Sequence, residues 1–217
     1  MSMNRQYVVI AVLFILVALT WISCSSNGST STIEFPQINE PGIPEDFSTY
    51  ESEGFFSISY PPDWEPVQSL LEELERYGKE SVLEIDPSQD LDAFKLLFVA
   101  GKPTLDGWYP SVSVSVGKRE FGYSSLDEII ESEYNWAKAY TAGYQEVSRT
   151  KTTIGGIEAY IIVDQDDEPG DVPWKYTSGN LVKGDYVWFV ICNAERADYD
   201  EYEDEFEDIV RSFRILD

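Results

Sequence analysis

Histidine is absent from the 217 residues. That excludes Ser-His and Cys-His triads, imidazole-ligated zinc or haem, and an imidazole pH switch. Bases are scarce, with 15 Lys and Arg against 40 Asp and Glu and a formal net charge of -25. A chain so acidic repels phosphate backbones, which excludes nucleic-acid binding through a broad basic surface. Cysteine occurs only at Cys24 and Cys192, so if Cys24 carries lipid no intramolecular disulfide is possible and an exported domain must rely on its core. The chain also lacks internal repeats and low-complexity tracts within its body. With 43% hydrophobic residues it can form one compact domain.

What is present begins with a leader. Val8 to Ile22 run without a charge for fifteen residues behind a single base, Arg5. At about 1.5 Å per residue the run reaches roughly 22 Å, short of the roughly 30 Å hydrocarbon core, which suits a signal peptide over residues 1–23 better than a spanning helix. Trp21-Ile22-Ser23-Cys24 resembles a bacterial-type lipobox, with Trp21 where leucine is usual. The resemblance implies acylation of Cys24 and an extracytoplasmic chain held to the cell membrane by lipid. Cleavage before Cys24 removes only Arg5 among the charges, leaving 14 bases and 40 acids. Anionic headgroups repel such a body, so attachment falls to the acyl chains. Residues 24–48, rich in Ser, Thr, Pro and Gly, read as a lipidated tether before a globular domain at 49–217.

Within that domain, Gly54 to Tyr60 is strand-like and ends at Pro61-Pro62. Ser69-Leu70-Leu71-Glu72 and Ser125-Leu126-Asp127-Glu128 are capping boxes. The first opens a short helix stopped by Gly78. The second opens a helix marked by Leu126, Ile129, Ile130, Ala137 and Tyr140, interrupted by Glu133 and ended by Gly143. Strands are expected at Ser81 to Asp86 and Phe94 to Ala100. Ser111 to Val116 alternates serine and valine without error, placing valines on one face of a sheet and serines on the other. Tyr144 to Ile154 and Ile157 to Val163 flank Gly155-Gly156, a hairpin signal, and Trp174 to Val182 follows. Tyr186 to Cys192 is apolar on both faces, as a central strand is. A helix from about Asp200 to Ser212 precedes an extension, Phe213 to Leu216. The pattern predicts an α+β fold, an α/β/α sandwich with a central antiparallel sheet flanked by helices.

Several candidates for chemistry have plain structural readings beside them. Asp198 to Asp208 holds eight acids in eleven residues, yet Tyr199, Tyr202, Phe206, Ile209, Val210 and Phe213 fall at helical spacing, so a solvated acidic face is expected. Asp164, Asp166, Asp167 and Asp171 could fold around calcium, although the run misses the EF-hand spacing and also reads as a hydrated hairpin connection. Ser115-x-x-Lys118 and Tyr134-x-x-x-Lys138 spell enzyme motifs outside the contexts those enzymes need. Cys192, inside an apolar strand, reads as a buried inert thiol. Trp64, Trp108, Tyr109 and Trp174 stand beside Pro or Gly in turns, where rings either stack on a ligand or anchor the core.

The opening Gly54-Phe55-Phe56-Ser57-Ile58-Ser59-Tyr60-Pro61 with Trp64, the hairpin Thr153 to Tyr160, and the apolar strand ending at Cys192 followed by the acidic helix closing in Ile209 to Arg214 resemble the PsbP / Mog1 / DcrB-like family. The resemblance spans nearly all of 50–217. It implies an accessory lipoprotein without catalytic residues or cofactor, working through an envelope protein partner as yet unknown. A calcium- or carbohydrate-binding module is the alternative. A hydrolase using carboxylates alone is a further rival, and it predicts an interior cleft with at least two acids, one of strongly raised pKa.

Overall fold

A computed structural model describes residues 42–67, 71, 94–104, 108–119, 125–167 and 172–216. The leader, Cys24, most of the tether, the strand expected at 81–86 and, apart from a helical Leu71, the helix expected at 69–78 lie outside the described residues. Among the described residues no helix is long and apolar enough to cross a membrane.

The elements run β1 (Ser48–Ser52), β2 (Phe56–Tyr60), β3 (Glu65–Pro66), β4 (Phe94–Pro103), β5 (Trp108–Lys118), α1 (Leu126–Tyr140), β6 (Gln145–Ile154), β7 (Ile157–Gln165), β8 (Trp174–Lys183), β9 (Tyr186–Glu195), a 3-10 turn (Tyr199–Glu201), α2 (Glu203–Ser212) and β10 (Arg214–Ile215). Seven strands form one sheet in the order β3-β4-β5-β9-β8-β7-β6, and β1-β2-β10 form a second. Every pairing is antiparallel. The expected central strand is indeed interior, with β9 between β5 and β8. The hairpin at Gly155-Gly156 is formed as its sequence demands, both glycines having positive φ, 58° and 75°. The extension after the last helix is a strand: β10 sets Ile215 opposite Phe56 on β2.

Strand alternation separates the large sheet into two unlike faces. Val112, Val114, Ile161, Leu181, Val190 and Cys192 point to the side covered by α2, where Phe206, Ile209 and Val210 complete the main core. All three α2 residues are fully buried, and the acids between them lie on the opposite side of the helix, as the spacing predicts. Phe56, Trp188 and Phe213 meet there as a ring cluster with centroids 5.7 to 6.1 Å apart. Each such side chain contributes about 1.5–3 kcal/mol through burial.

The other face mixes polar side chains with apolar ones, Ile162, Phe189 and Ile191 among them. Ser111 and Ser115 of β5, Asn193 of β9, Tyr176, Ser178 and Asn180 of β8, and Asp164 of β7 share it by register. The serine–valine alternation therefore resolves as expected, with Val112 and Val114 in the core and Ser115 buried on the far side. Helix α1 covers part of this face, packing Leu126 and Ile130 on Ile162. Ser125 caps it by accepting from the Glu128 amide at 3.2 Å, worth about 1 kcal/mol. Two sequence expectations for α1 need correction. Tyr140 is not part of the buried stripe but exposed, in the last turn of the helix, its ring 5.0 Å from that of Trp136. The helix ends at Thr141, whose amide donates to the Ala137 carbonyl, and Gly143 forms the following turn.

Candidate functional site

Leu126, Ile130, Glu133 and Ala137 recur every three or four residues along α1, so one face carries them all. Glu133 does not interrupt the stripe; it occupies it. Leu126 and Ile130 seal that face against Ile162, and one turn further the carboxyl of Glu133 is driven into the same seam. Its Oε1 is buried and has no hydrogen-bond partner. On β7, Tyr160, Ile162 and Asp164 point to α1 by strand alternation. Asp164 is 4% exposed, and its Oδ1 is also buried and unpartnered.

Between these acids lies a small, open-mouthed cleft of about 30 Å3. Its floor is Tyr176, Ser178 and Asn180 of β8 with Phe189 and Ile191 of β9, and half-buried Tyr134, Tyr144 and Glu146 stand around the opening. Burial pushes the Glu133 carboxyl well above the usual range, and the nearby Asp164 adds to the effect while Arg149 opposes it. Asp164 is raised well above its ordinary value for the same first reason, then by Asp166 and Glu146. Burial also raises the Tyr144 phenol. At the rim, Arg149 sits 5.6 Å over the Tyr134 ring, binds Glu146 through Nη2 at 2.6 Å and pairs with Glu131.

The expected calcium loop does not converge. Asp164 turns into the cleft. Asp166 is spent on structure, its Oδ1 accepting from the Trp174 amide at 3.2 Å and its Oδ2 from the Tyr176 hydroxyl at 2.7 Å. Asp167 is exposed and pairs with Arg196 at 3.6 Å. Asp171 lies outside the described residues. Among the described residues no three His, Cys, Asp or Glu side chains are arranged to hold a metal ion.

The aromatic candidates divide. Trp64 and Trp174 are each 3% exposed, Trp64 standing edge-on to Phe206 at 6.3 Å, so both are core anchors rather than stacking surfaces. Trp108 and Tyr109 open β5, Trp108 opposite Pro103, and their side chains lie outside the described residues. Ser115 is buried while Lys118, an odd number of residues on, faces the other way and is exposed, so the pair shares no site. Tyr134 and Lys138 do meet, as a cation over a ring at 5.5 Å. Cys192 is fully buried, its thiol directed at the Phe206 carbonyl at 3.9 Å and raised by burial and then by Glu205.

Glu133 is the residue that sequence reasoning passed over. Its signal was present: an acid at an inward helical position invites the question of what faces it.

No protein-family model matches the chain, and no curated protein does. Solved structures do. Cyanobacterial PsbP (CyanoP) from Synechocystis sp. PCC 6803 superposes with a TM-score of 0.51 at 10% identity, covering 87% of this chain and 98% of that one. LpqN of Mycobacterium tuberculosis, described as involved in cell envelope biogenesis, gives 0.47 at 12% identity over 80% and 87%. A Bacteroides thetaiotaomicron protein gives 0.46 at 14% identity over 79% of this chain and 49% of its own, so the chain spans about half that protein's length. The likeness is one of architecture: the chain has a PsbP/Mog1-like fold.

Proposed function

We propose that this chain is an extracytoplasmic accessory lipoprotein, anchored through acylated Cys24, that binds a partner group in the cleft between α1 and the sheet without transforming it. The observation that carries the reading is the Asp164 carboxyl, buried in an open-mouthed cleft with one oxygen unpartnered. Leaving such an acceptor unsatisfied costs about 1–3 kcal/mol, and a group supplied from outside removes that cost. The leader and the Ser23-Cys24 junction support export and anchoring, and the strongly negative field favours a cationic partner.

The same cleft favours one second reading, hydrolysis by carboxylates alone, since it holds two acids of raised pKa. Acid–base catalysis needs the two groups pushed apart, one protonated and one ionised. Here burial moves Glu133 and Asp164 in the same direction, and Glu146 is held by Arg149. That arrangement supports binding over turnover.

The reading is tested by capture of the full chain from its native membrane. An envelope protein recovered with the unaltered chain, and lost with Asp164→Asn, is the expected result, together with release of Cys24→Ala to the aqueous fraction. Unchanged capture by Asp164→Asn overturns the cleft as the binding site. Unchanged partitioning of Cys24→Ala overturns lipid anchoring, and hydrolysis of any glycoside or ester by the purified protein overturns the absence of catalysis.

A further inference from the structure

The following rests on the cleft being the binding site. We propose that the cleft accepts one protonated alkylamine, the ammonium of a lysine side chain or of a free amine, seated between Glu133 and Asp164.

Two buried oxygens without partners, Oε1 of Glu133 and Oδ1 of Asp164, border one small space. An ammonium has three donors and no acceptor, which complements a site whose unpaired atoms are both acceptors. Ile130, Ile162 and Ile191 line the same space and suit a methylene stem. The Tyr134 ring is already engaged by two cations, Lys138 at 5.5 Å and Arg149 at 5.6 Å. The planar fork of Arg149 remains at the rim, held by Glu146 and Glu131. A divalent metal is poorly matched, since no three ligating side chains converge among the described residues.

Charge balance makes the binding pH-dependent. Facing the two acids are Tyr134 from α1, Tyr144 from the α1–β6 turn, Glu146 and Arg149 from β6, and Tyr176 from β8. Asp166, just after β7, adds a negative neighbour to Asp164. Burial favours the protonated form of Glu133 and Asp164 in the empty cleft. An entering ammonium favours the carboxylate forms, so each carboxyl that ionises releases one proton to solvent while the amine keeps its own. Affinity rises with pH through the range in which these acids titrate, then falls once the amine itself deprotonates near pH ~10.4.

The test titrates the full chain in non-ionic micelles with n-butylammonium and, as an uncharged isostere, n-butanol, following cleft resonances by NMR and heat by calorimetry in buffers of different ionisation enthalpy. The expected result is ammonium binding with proton release, tightening as pH is raised from the carboxylate range toward neutrality and at least about tenfold tighter than butanol. Glu133→Gln and Asp164→Asn each weaken it by about tenfold or more, and Glu158→Gln, an exposed position on β7, leaves it unchanged. A Gly-Lys-Gly peptide with blocked termini binding above spermidine identifies a lysine-bearing partner, and the reverse identifies a free polyamine; either supports the proposal. Butanol matching the ammonium, or ammonium binding without proton release, overturns the amine and leaves the cleft as a binding site. Shifts with neither probe overturn both. Should a variant fail to fold, the comparison of probes on the unaltered chain decides.

Discussion

Val210 of α2 stands directly on Gly179 of β8: a Cβ added at Gly179 would lie 2.6 Å from Val210 Cγ1 and 3.1 Å from Ile154 Cδ1. The helix reaches the sheet at this point only because the strand offers no side chain. Gly179→Ala forces a buried valine aside, and overpacking of this kind costs about 1–3 kcal/mol. Urea unfolding of Gly179→Ala should show a lowered midpoint, and Gly179→Ala combined with Val210→Ala should recover part of it. A midpoint unmoved by Gly179→Ala would show that the helix is not seated there.

Ser212 closes the end of α2 onto the small sheet. Its Oγ accepts from the Ser59 amide at 2.8 Å and lies 2.7 Å from the Ile209 carbonyl and 3.1 Å from the Ser59 carbonyl, either able to take its proton. Ser212→Ala leaves a buried amide without this partner, costing about 1–3 kcal/mol. Hydrogen exchange at Ser59 is expected to accelerate in Ser212→Ala by more than the global loss of stability accounts for. Equal acceleration across all slow amides would refute a local role.

The two cleft acids make stability fall as pH rises. Their folded pKa values exceed the unfolded ones, so the native state binds more protons and the stabilisation present at low pH is lost as pH climbs through the folded values. Asp127 acts oppositely, lowered by its bonds to Lys151 and Tyr160, but it is largely exposed and screened. Asp164→Asn should flatten the decline that sets in above the ordinary carboxylate range and gain on the order of 1–3 kcal/mol at the alkaline end. Parallel stability-pH curves for the two proteins would remove Asp164 as the cause.

Cys192 should be silent in the native state. It is fully buried and its thiol is pushed up by burial, so little thiolate exists to react. Iodoacetamide at neutral pH is expected to leave Cys192 unlabelled until denaturant is added, and native labelling at the rate of a free thiol would contradict the packing of β9.

Much of this architecture was legible as period and punctuation. The serine–valine alternation set the two faces of β5, Gly155-Gly156 set the β6–β7 hairpin, and the spacing of Phe206, Ile209 and Val210 set the buried side of α2. The candidate site was far less legible. Asp164 looked like the start of an acidic loop, whereas it is the last inward position of β7 on the α1 side. Glu133 looked like a break in an apolar stripe. Local pattern shows which way a side chain points and not what stands opposite.

Amino-acid order alone excluded imidazole chemistry, set the overwhelming negative charge, and placed strands and helices, because composition is fixed and periodicity is a local property of the backbone. Tertiary structure alone decided that Glu133 and Asp164 face one cleft, that Trp64 and Trp174 are core, and that the aspartates after β7 part company. Those outcomes depend on strand register and on where α1 settles across the sheet, which are set by contacts between residues far apart in the chain.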